Sequence, residues 1–98
     1  MTVRIDPEEN EIRALKGVTD WHGKRVLEIG CGDGRLTRRL VRLGAVIHAS
    51  DTDAGLIAKA RKNLPKQFAK NIHYSVGQAE RIDQPNESFD VVVFAWAL

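Results

Sequence analysis

Apolar residues in this chain fall in short blocks with two rhythms, separated by turn residues. Arg25-Val26-Leu27-Glu28-Ile29, Ala45-Val46-Ile47-His48-Ala49-Ser50, Ile72-His73-Tyr74-Ser75-Val76 and the run from Phe89 to Leu98 are brief and rich in β-branched residues. Such blocks predict strands of a parallel sheet covered on both faces. Between the blocks the spacing turns helical. Leu36, Leu40 and Leu43 recur at i, i+4 and i+7, while Arg35, Arg38, Arg39 and Arg42 share a separate face. That pattern predicts an amphipathic helix ended by Gly44. Asp53 is placed to cap a second helix over Ala54 to Asn63, with Leu56, Ile57 and Ala60 inward and Pro65 near its end. Asp6-Pro7-Glu8-Glu9 combines a capping Asp, a first-turn Pro and an acid that completes a capping box. A short helix is therefore expected within residues 1–20, with Ile12 and Leu15 as its apolar face and Gly17 as its stop. The connection from Gln78 to Ser88 is polar, contains Pro85-Asn86 and has room for one helical turn rather than a crossover helix.

Strands alternating with helices imply an α/β fold with a parallel sheet and right-handed crossovers. Ligands of such sheets bind at the carboxyl ends of the strands. Four separate pieces are expected at that edge: Gly30 to Gly34, Asp51, Gly77 to Ala79, and Phe94 to Trp96.

Composition narrows the picture modestly. The chain has 98 residues, 43% hydrophobic and 29% charged, which suits one small globular domain over residues 1–98. A net charge of +2 is too small to suggest nucleic acid or a membrane surface as partner. No apolar run reaches the length of a signal peptide core or a membrane span. Cys31 is the only cysteine, so no disulfide forms within the chain, and a reducing, cytoplasmic setting is expected.

The chemistry concentrates where the first of these strands ends. Gly30-Cys31-Gly32-Asp33-Gly34 is a glycine loop between a strand and a helix start, a place where a ligand can approach the backbone and meet free N–H groups. A nicotinamide fingerprint would need its third glycine at position 35, which is Arg35. No Gly-Lys-Ser/Thr follows, so the loop is not a P-loop. Glu28 stands inside an apolar strand, where an unpaired carboxylate is costly, and a site role is expected for it. Asp51 ends the next strand, where an acid can accept both hydroxyls of a ribose, as any adenosine cofactor requires. Cys31 is expected to be a small loop residue rather than a nucleophile. His22, His48 and His73 lack metal-ligand spacing, and no metal is expected. The arginine face is taken as solvated, and Trp96 as core.

With these pieces the chain resembles the class I S-adenosylmethionine-dependent methyltransferases, above all the small-molecule group related to quinone-biosynthesis enzymes. The resemblance is carried by Val26-Leu27-Glu28-Ile29-Gly30-Cys31-Gly32-Asp33-Gly34, Ser50-Asp51-Thr52-Asp53, Gly77-Gln78-Ala79-Glu80 and Ser88-Phe89-Asp90-Val91-Val92-Val93. It implies a Rossmann-like three-layer sandwich with a mainly parallel sheet, of which this chain holds about the first four strands. It also implies residue roles. Glu28, Gly30, Cys31, Gly32, Asp33 and Gly34 would surround the methionine part of S-adenosylmethionine, and Asp51 would hold the ribose. Thr52, Gln78 and Ala79 would flank the adenine, and Phe94 and Ala95 would close the site. The family often has Asp where this chain has Gln78, which removes one charge-assisted contact. No catalytic base is evident, and the Asn-Pro-Pro-Tyr signature of many amino methyltransferases is absent. The implied function is methyl transfer to a small-molecule acceptor. Two alternatives stand beside it: a non-catalytic S-adenosylmethionine-binding or pairing module, and a nicotinamide-linked oxidoreductase fragment. The resembled sheet has seven strands with the fourth interior. The chain is accordingly expected to be the cofactor-binding part of a longer domain, with an exposed fourth-strand edge that invites self-association.

Overall fold

The computed structural model describes residues 2–5, 17–77 and 89–95. Within them lie five strands: β1 (Thr2–Ile5), β2 (Arg25–Ile29), β3 (Val46–Asp51), β4 (Ile72–Val76) and β5 (Val91–Ala95). They form one sheet in the order β1-β5-β2-β3-β4, and every neighbouring pair is parallel. Helix α1 (Arg35–Arg42) joins β2 to β3, and helix α2 (Ala54–Lys62) with a 3-10 turn (Lys66–Phe68) joins β3 to β4.

Local chemistry sets the helix limits. Gly34 precedes α1 with φ +86°, and Gly44 follows it with φ +97°, conformations that glycine adopts without steric penalty. Arg39 and Arg42 occupy the last turn of α1 and complement its negative end. The Asp53 side chain caps α2, with Oδ1 accepting from the N–H groups of Gly55 at 2.9 Å and Leu56 at 3.1 Å. Ile57 and Ala60 face inward and are fully buried, while Leu56 is half-buried.

Both helices lie on one face of the sheet, as two successive crossovers of one hand in one direction require. That face carries Val26 and Glu28 of β2, Ile47 and Ala49 of β3, Ile72 and Tyr74 of β4, and Val91 and Val93 of β5, all buried. Leu36, Thr37, Leu40 and Val41 of α1 complete this core. On the other face Leu27, His48 and Val92 are only half-buried and Phe94 is 36% exposed. Coverage of both faces, expected from the apolar strand pattern, is thus supplied by helices on one face only among the described residues. At the end of the sheet remote from the glycine loop, the starts of β2 and β5 are clamped together. The N–H of Arg25 donates to Asp90 Oδ2 at 2.9 Å and the N–H of Asp90 donates to the Arg25 carbonyl at 2.8 Å. That backbone donor, with the Arg25 guanidinium 3.5 Å away, holds the Asp90 carboxyl below its ordinary range.

The strand that sequence pattern did not single out is β1. It pairs with β5 in the register Thr2 with Val92 through Ile5 with Ala95. The bare fourth-strand edge is therefore corrected: β5 has β2 on one side and the chain's own N-terminal strand on the other. Thr2-Val3-Arg4-Ile5 alternates for four residues only, too short a pattern to register before the strong helix-start signal at Asp6. Residues 6–16 of the expected N-terminal helix lie outside the described residues, and Gly17, its expected stop, is itself helical. Residues 96–98 of the expected last strand, Trp96 included, also lie outside.

Candidate functional site

The β2–α1 loop makes its turn with three glycines of positive φ, +80° at Gly30, +57° at Gly32 and +86° at Gly34. Its first turn is pinned to β3, where the Ser50 carbonyl accepts from the N–H groups of Gly30 at 2.8 Å and Cys31 at 3.0 Å. Its second turn is closed by the Gly34 N–H donating to the Cys31 carbonyl at 3.0 Å. The two sides of the loop differ in kind. A Cβ at Gly32 would meet nothing within 4 Å, so that side is open. A Cβ at Gly34 would collide with the Tyr74 hydroxyl and lie 3.3 Å from Ala60, so that side is packed. A Cβ at Gly30 would come to 3.0 Å of the Ala95 carbonyl oxygen, which brings the end of β5 against the loop.

Asp51 joins the loop to the end of β3. Its Oδ2 accepts from the Gly32 N–H at 2.9 Å, and its Oδ1 accepts from the Asp53 N–H at 2.8 Å. An ionised carboxylate has about four acceptor positions, so each oxygen keeps one for a further donor. The main-chain carbonyl of Asp51 accepts from the Gly77 N–H at 2.9 Å, which sets the end of β4 beside it.

Glu28 lies beneath the loop, fully buried, and its Oε1 accepts from the Thr37 hydroxyl at 2.5 Å. Cys31 sits between the acids. Burial first, then the charges of Glu28 and Asp51, push its thiol far above the ordinary range. It is held as a neutral, unreactive thiol, in keeping with a packing role in the loop. Asp33 is exposed at the rim, where its carbonyl accepts from the Arg38 guanidinium at 2.9 Å. Thr52 is exposed next to Asp51, Phe94 is partly exposed, and Ala95 is half-buried at the end of β5. Gln78 and Ala79 lie outside the described residues. The structure therefore brings together Glu28, the loop from Gly30 to Gly34, Asp51 and Ala95 at the carboxyl edge of the sheet.

Two buried residues were not expected there, Thr37 and Tyr74. Thr37 carried a faint signal, a hydroxyl beside Leu36 and Leu40 on the apolar stripe of α1, opposite an acid in the preceding strand. Tyr74 carried none, because its place under Gly34 depends on how β4 lies against α1. Among the described residues, no group of three His, Cys, Asp or Glu side chains is placed to hold a metal ion, and no helix is long and apolar enough to cross a membrane.

A family model described as a methyltransferase domain matches residues 26–98. The chain belongs to the methyltransferase-domain family. Over 81 residues this methyltransferase domain is 37% identical to a ubiquinone biosynthesis O-methyltransferase of Ruegeria sp., covering 83% of the chain and 32% of the relative. It is 38% identical over 82 residues to a ubiquinone/menaquinone biosynthesis C-methyltransferase of Stutzerimonas stutzeri, covering 79% and 32% respectively. The chain thus spans about a third of the length of these curated relatives. An S-adenosylmethionine-dependent methyltransferase from Mesorhizobium loti superposes with a TM-score of 0.76 at 26% identity, over 92% of this chain and 41% of that one. A magnesium protoporphyrin IX methyltransferase from Synechocystis, solved with its cofactor, shares the fold at a TM-score of 0.71 and 20% identity, over 85% and 39%. The methyltransferase domain accordingly has the α/β architecture expected from its strand and helix pattern.

Proposed function

We propose that this domain binds S-adenosylmethionine and forms the cofactor-holding part of a methyltransferase acting on a small-molecule acceptor in the cytoplasm. The observation that carries the reading is the hydrogen bond from the Gly32 N–H to Asp51 Oδ2 at 2.9 Å. It makes the glycine loop and the acid one continuous wall at the carboxyl edge of the sheet. The residues present fit the cofactor. The open side of Gly32 is a cradle that any side chain would fill. Asp51 retains acceptor positions suited to vicinal ribose hydroxyls. Gly34 brings no capping side chain to the start of α1, and the Arg35 N–H there is taken by Asp33 Oδ1 at 3.3 Å.

When bound, S-adenosylmethionine supplies an activated methyl group whose sulfonium leaves as a neutral thioether. The chain's own residues have the simpler task of binding and alignment. Gly30 to Gly34 receive the methionine portion along bare main chain, over Glu28 and the neutral Cys31. Asp51 holds the ribose, and the end of β5 at Phe94 and Ala95 shields one side from water. Thr52, Gln78 and Ala79 are assigned to the adenine by the same reading. Alignment of reacting groups accounts for a large part of rate in such transfers. The quinone-biosynthesis relatives support a small-molecule acceptor. A lone buried thiol supports a reducing compartment.

Titration calorimetry of the chain with S-adenosylmethionine and, separately, with NAD tests the reading. Saturable heat with S-adenosylmethionine and none with NAD is expected. The opposite preference, or heat with neither, overturns it.

A further inference from the structure

β4 is the outermost strand on its side of the sheet, and among the described residues no strand lies beyond it. The Asn71 carbonyl accepts from the Ile47 N–H at 2.7 Å, and the Gly77 N–H donates to the Asp51 carbonyl at 2.9 Å. Both bonds run to β3. Main-chain groups of a paired strand alternate in direction along the chain. Asn71, His73, Ser75 and Gly77 therefore face β3, and the N–H and C=O groups of Ile72, Tyr74 and Val76 point outward. Such a row is a template for another strand. Its midpoint is occupied. Arg61, near the end of α2, reaches across and donates from Nη2 to the Tyr74 carbonyl at 3.1 Å.

The bond also ties α2 to β4, but that tie already exists. Ile57 and Ala60 of α2 are fully buried, and Leu64 and Phe68 pack against the same core. What the guanidinium adds is a charge standing on the edge. We propose that Arg61 guards the β4 edge against a second copy of this chain, which would otherwise add its own β4 by main-chain pairing. A closed pairing of two identical edges is two-fold and antiparallel. Centred on Tyr74, it sets Tyr74 against Tyr74 and Ile72 against Val76 across the axis. Val76 is apolar and 49% exposed, so the edge suits a copy of itself. Each Tyr74 N–H would then seek the carbonyl oxygen that Arg61 holds. That oxygen keeps a second lone pair, so the block lies in the bulk and charge of the guanidinium. Two copies would also bring two like charges onto one seam, a device that keeps natural sheet edges apart.

Arg61→Met keeps the aliphatic stem and removes the charged head, and Arg61→Lys keeps a charge. Arg61→Met/Val76→Lys returns a charge to the same edge from another residue. Two readouts are compared over a range of protein concentrations: mass by light scattering, and deuterium exchange of residues 72–76, with residues 46–51 of β3 reporting an intact fold. Arg61→Met is expected to form a species of about twice the wild-type mass. Exchange of residues 72–76 should slow in it as concentration rises. Arg61→Lys and the double variant are expected to keep the wild-type mass. The proposal is overturned if Arg61→Met keeps the wild-type mass throughout, or if its larger species protects a segment other than 72–76. It is overturned equally if Arg61→Lys or the double variant assembles as Arg61→Met does, since charge on the edge would then not be the guard. Lost protection of residues 46–51 in Arg61→Met also overturns it, because the bond to Tyr74 would then hold the fold itself.

Discussion

The carboxylate of Asp51 holds the N–H of Gly32, 19 residues earlier in the chain, at 2.9 Å. The acid is thus a part of the loop as well as a neighbour of it. Asp51→Ala is expected to weaken S-adenosylmethionine binding by about 1.5–3 kcal/mol, the worth of hydrogen bonds to a charged group. Asp51→Asn is expected to fall between the two, because its amide oxygen still accepts but the charge is gone. Calorimetric titration of both variants checks this, and wild-type affinity in Asp51→Ala would remove the acid from the site.

Gly32 and Gly34 both have positive φ but differ in their surroundings. Gly32→Ala meets open space and carries only the left-handed backbone penalty, about 1–2 kcal/mol. Gly34→Ala adds a clash with buried Tyr74 and Ala60, for a total of about 2–4 kcal/mol. Urea denaturation of the two variants should rank them in that order. Gly32→Ala is expected to lose cofactor binding out of proportion to its stability loss, because its methyl enters the open side of the loop.

His48 stands mid-strand on the half-covered face, its Nε2 3.1 Å from Ser75 Oγ and its ring 4.8 Å from that of His73. Burial, and secondly the charge of His73, hold its pKa below the ordinary value of 6.5. The unfolded chain therefore takes up the proton first as pH falls. Stability is unaffected by this group above about pH 7 and declines as pH drops through the ordinary histidine range toward the lowered folded value. Melting temperature is expected to fall between pH 7.5 and pH 5, and His48→Gln should flatten that fall. An unchanged slope in the variant would assign the pH dependence elsewhere.

The N-terminal strand occupies the outer edge of β5. A chain lacking residues 1–5 leaves those main-chain groups without their partner strand, and open edges recruit other edges. Size-exclusion chromatography with light scattering is expected to show a shift to larger species relative to the whole chain. Identical elution of the two would mean that β1 does not guard the edge.

Much of this architecture was legible because its signals are local. Gly30, Gly32 and Gly34 announce a loop that needs positive φ, Asp53 announces a helix cap, and Ile72–Val76 is bounded by Asn71 and Gly77. What was illegible depends on partners distant in sequence. β1 is a four-residue alternation that means little until β5 is known to be beside it. Tyr74 looks like any core aromatic until β4 is placed against α1, and only then does its hydroxyl lie under Gly34. Glu28 stands out because a carboxylate in an apolar strand needs a reason, yet its threonine partner sits on a helix surface that hydrophobic spacing alone describes as greasy.

The 3.0 Å that would separate a methyl at Gly30 from the Ala95 carbonyl ties the opening residue of the loop to the tip of a strand far downstream. A side chain at position 30 would press on the main chain of β5 at Ala95, so a substitution there acts on the tip of that strand as well as on the loop. Mutational tolerance at position 95 should therefore be governed by main-chain path rather than side-chain size, a coupling that pairwise substitution at 30 and 95 would expose as strong non-additivity.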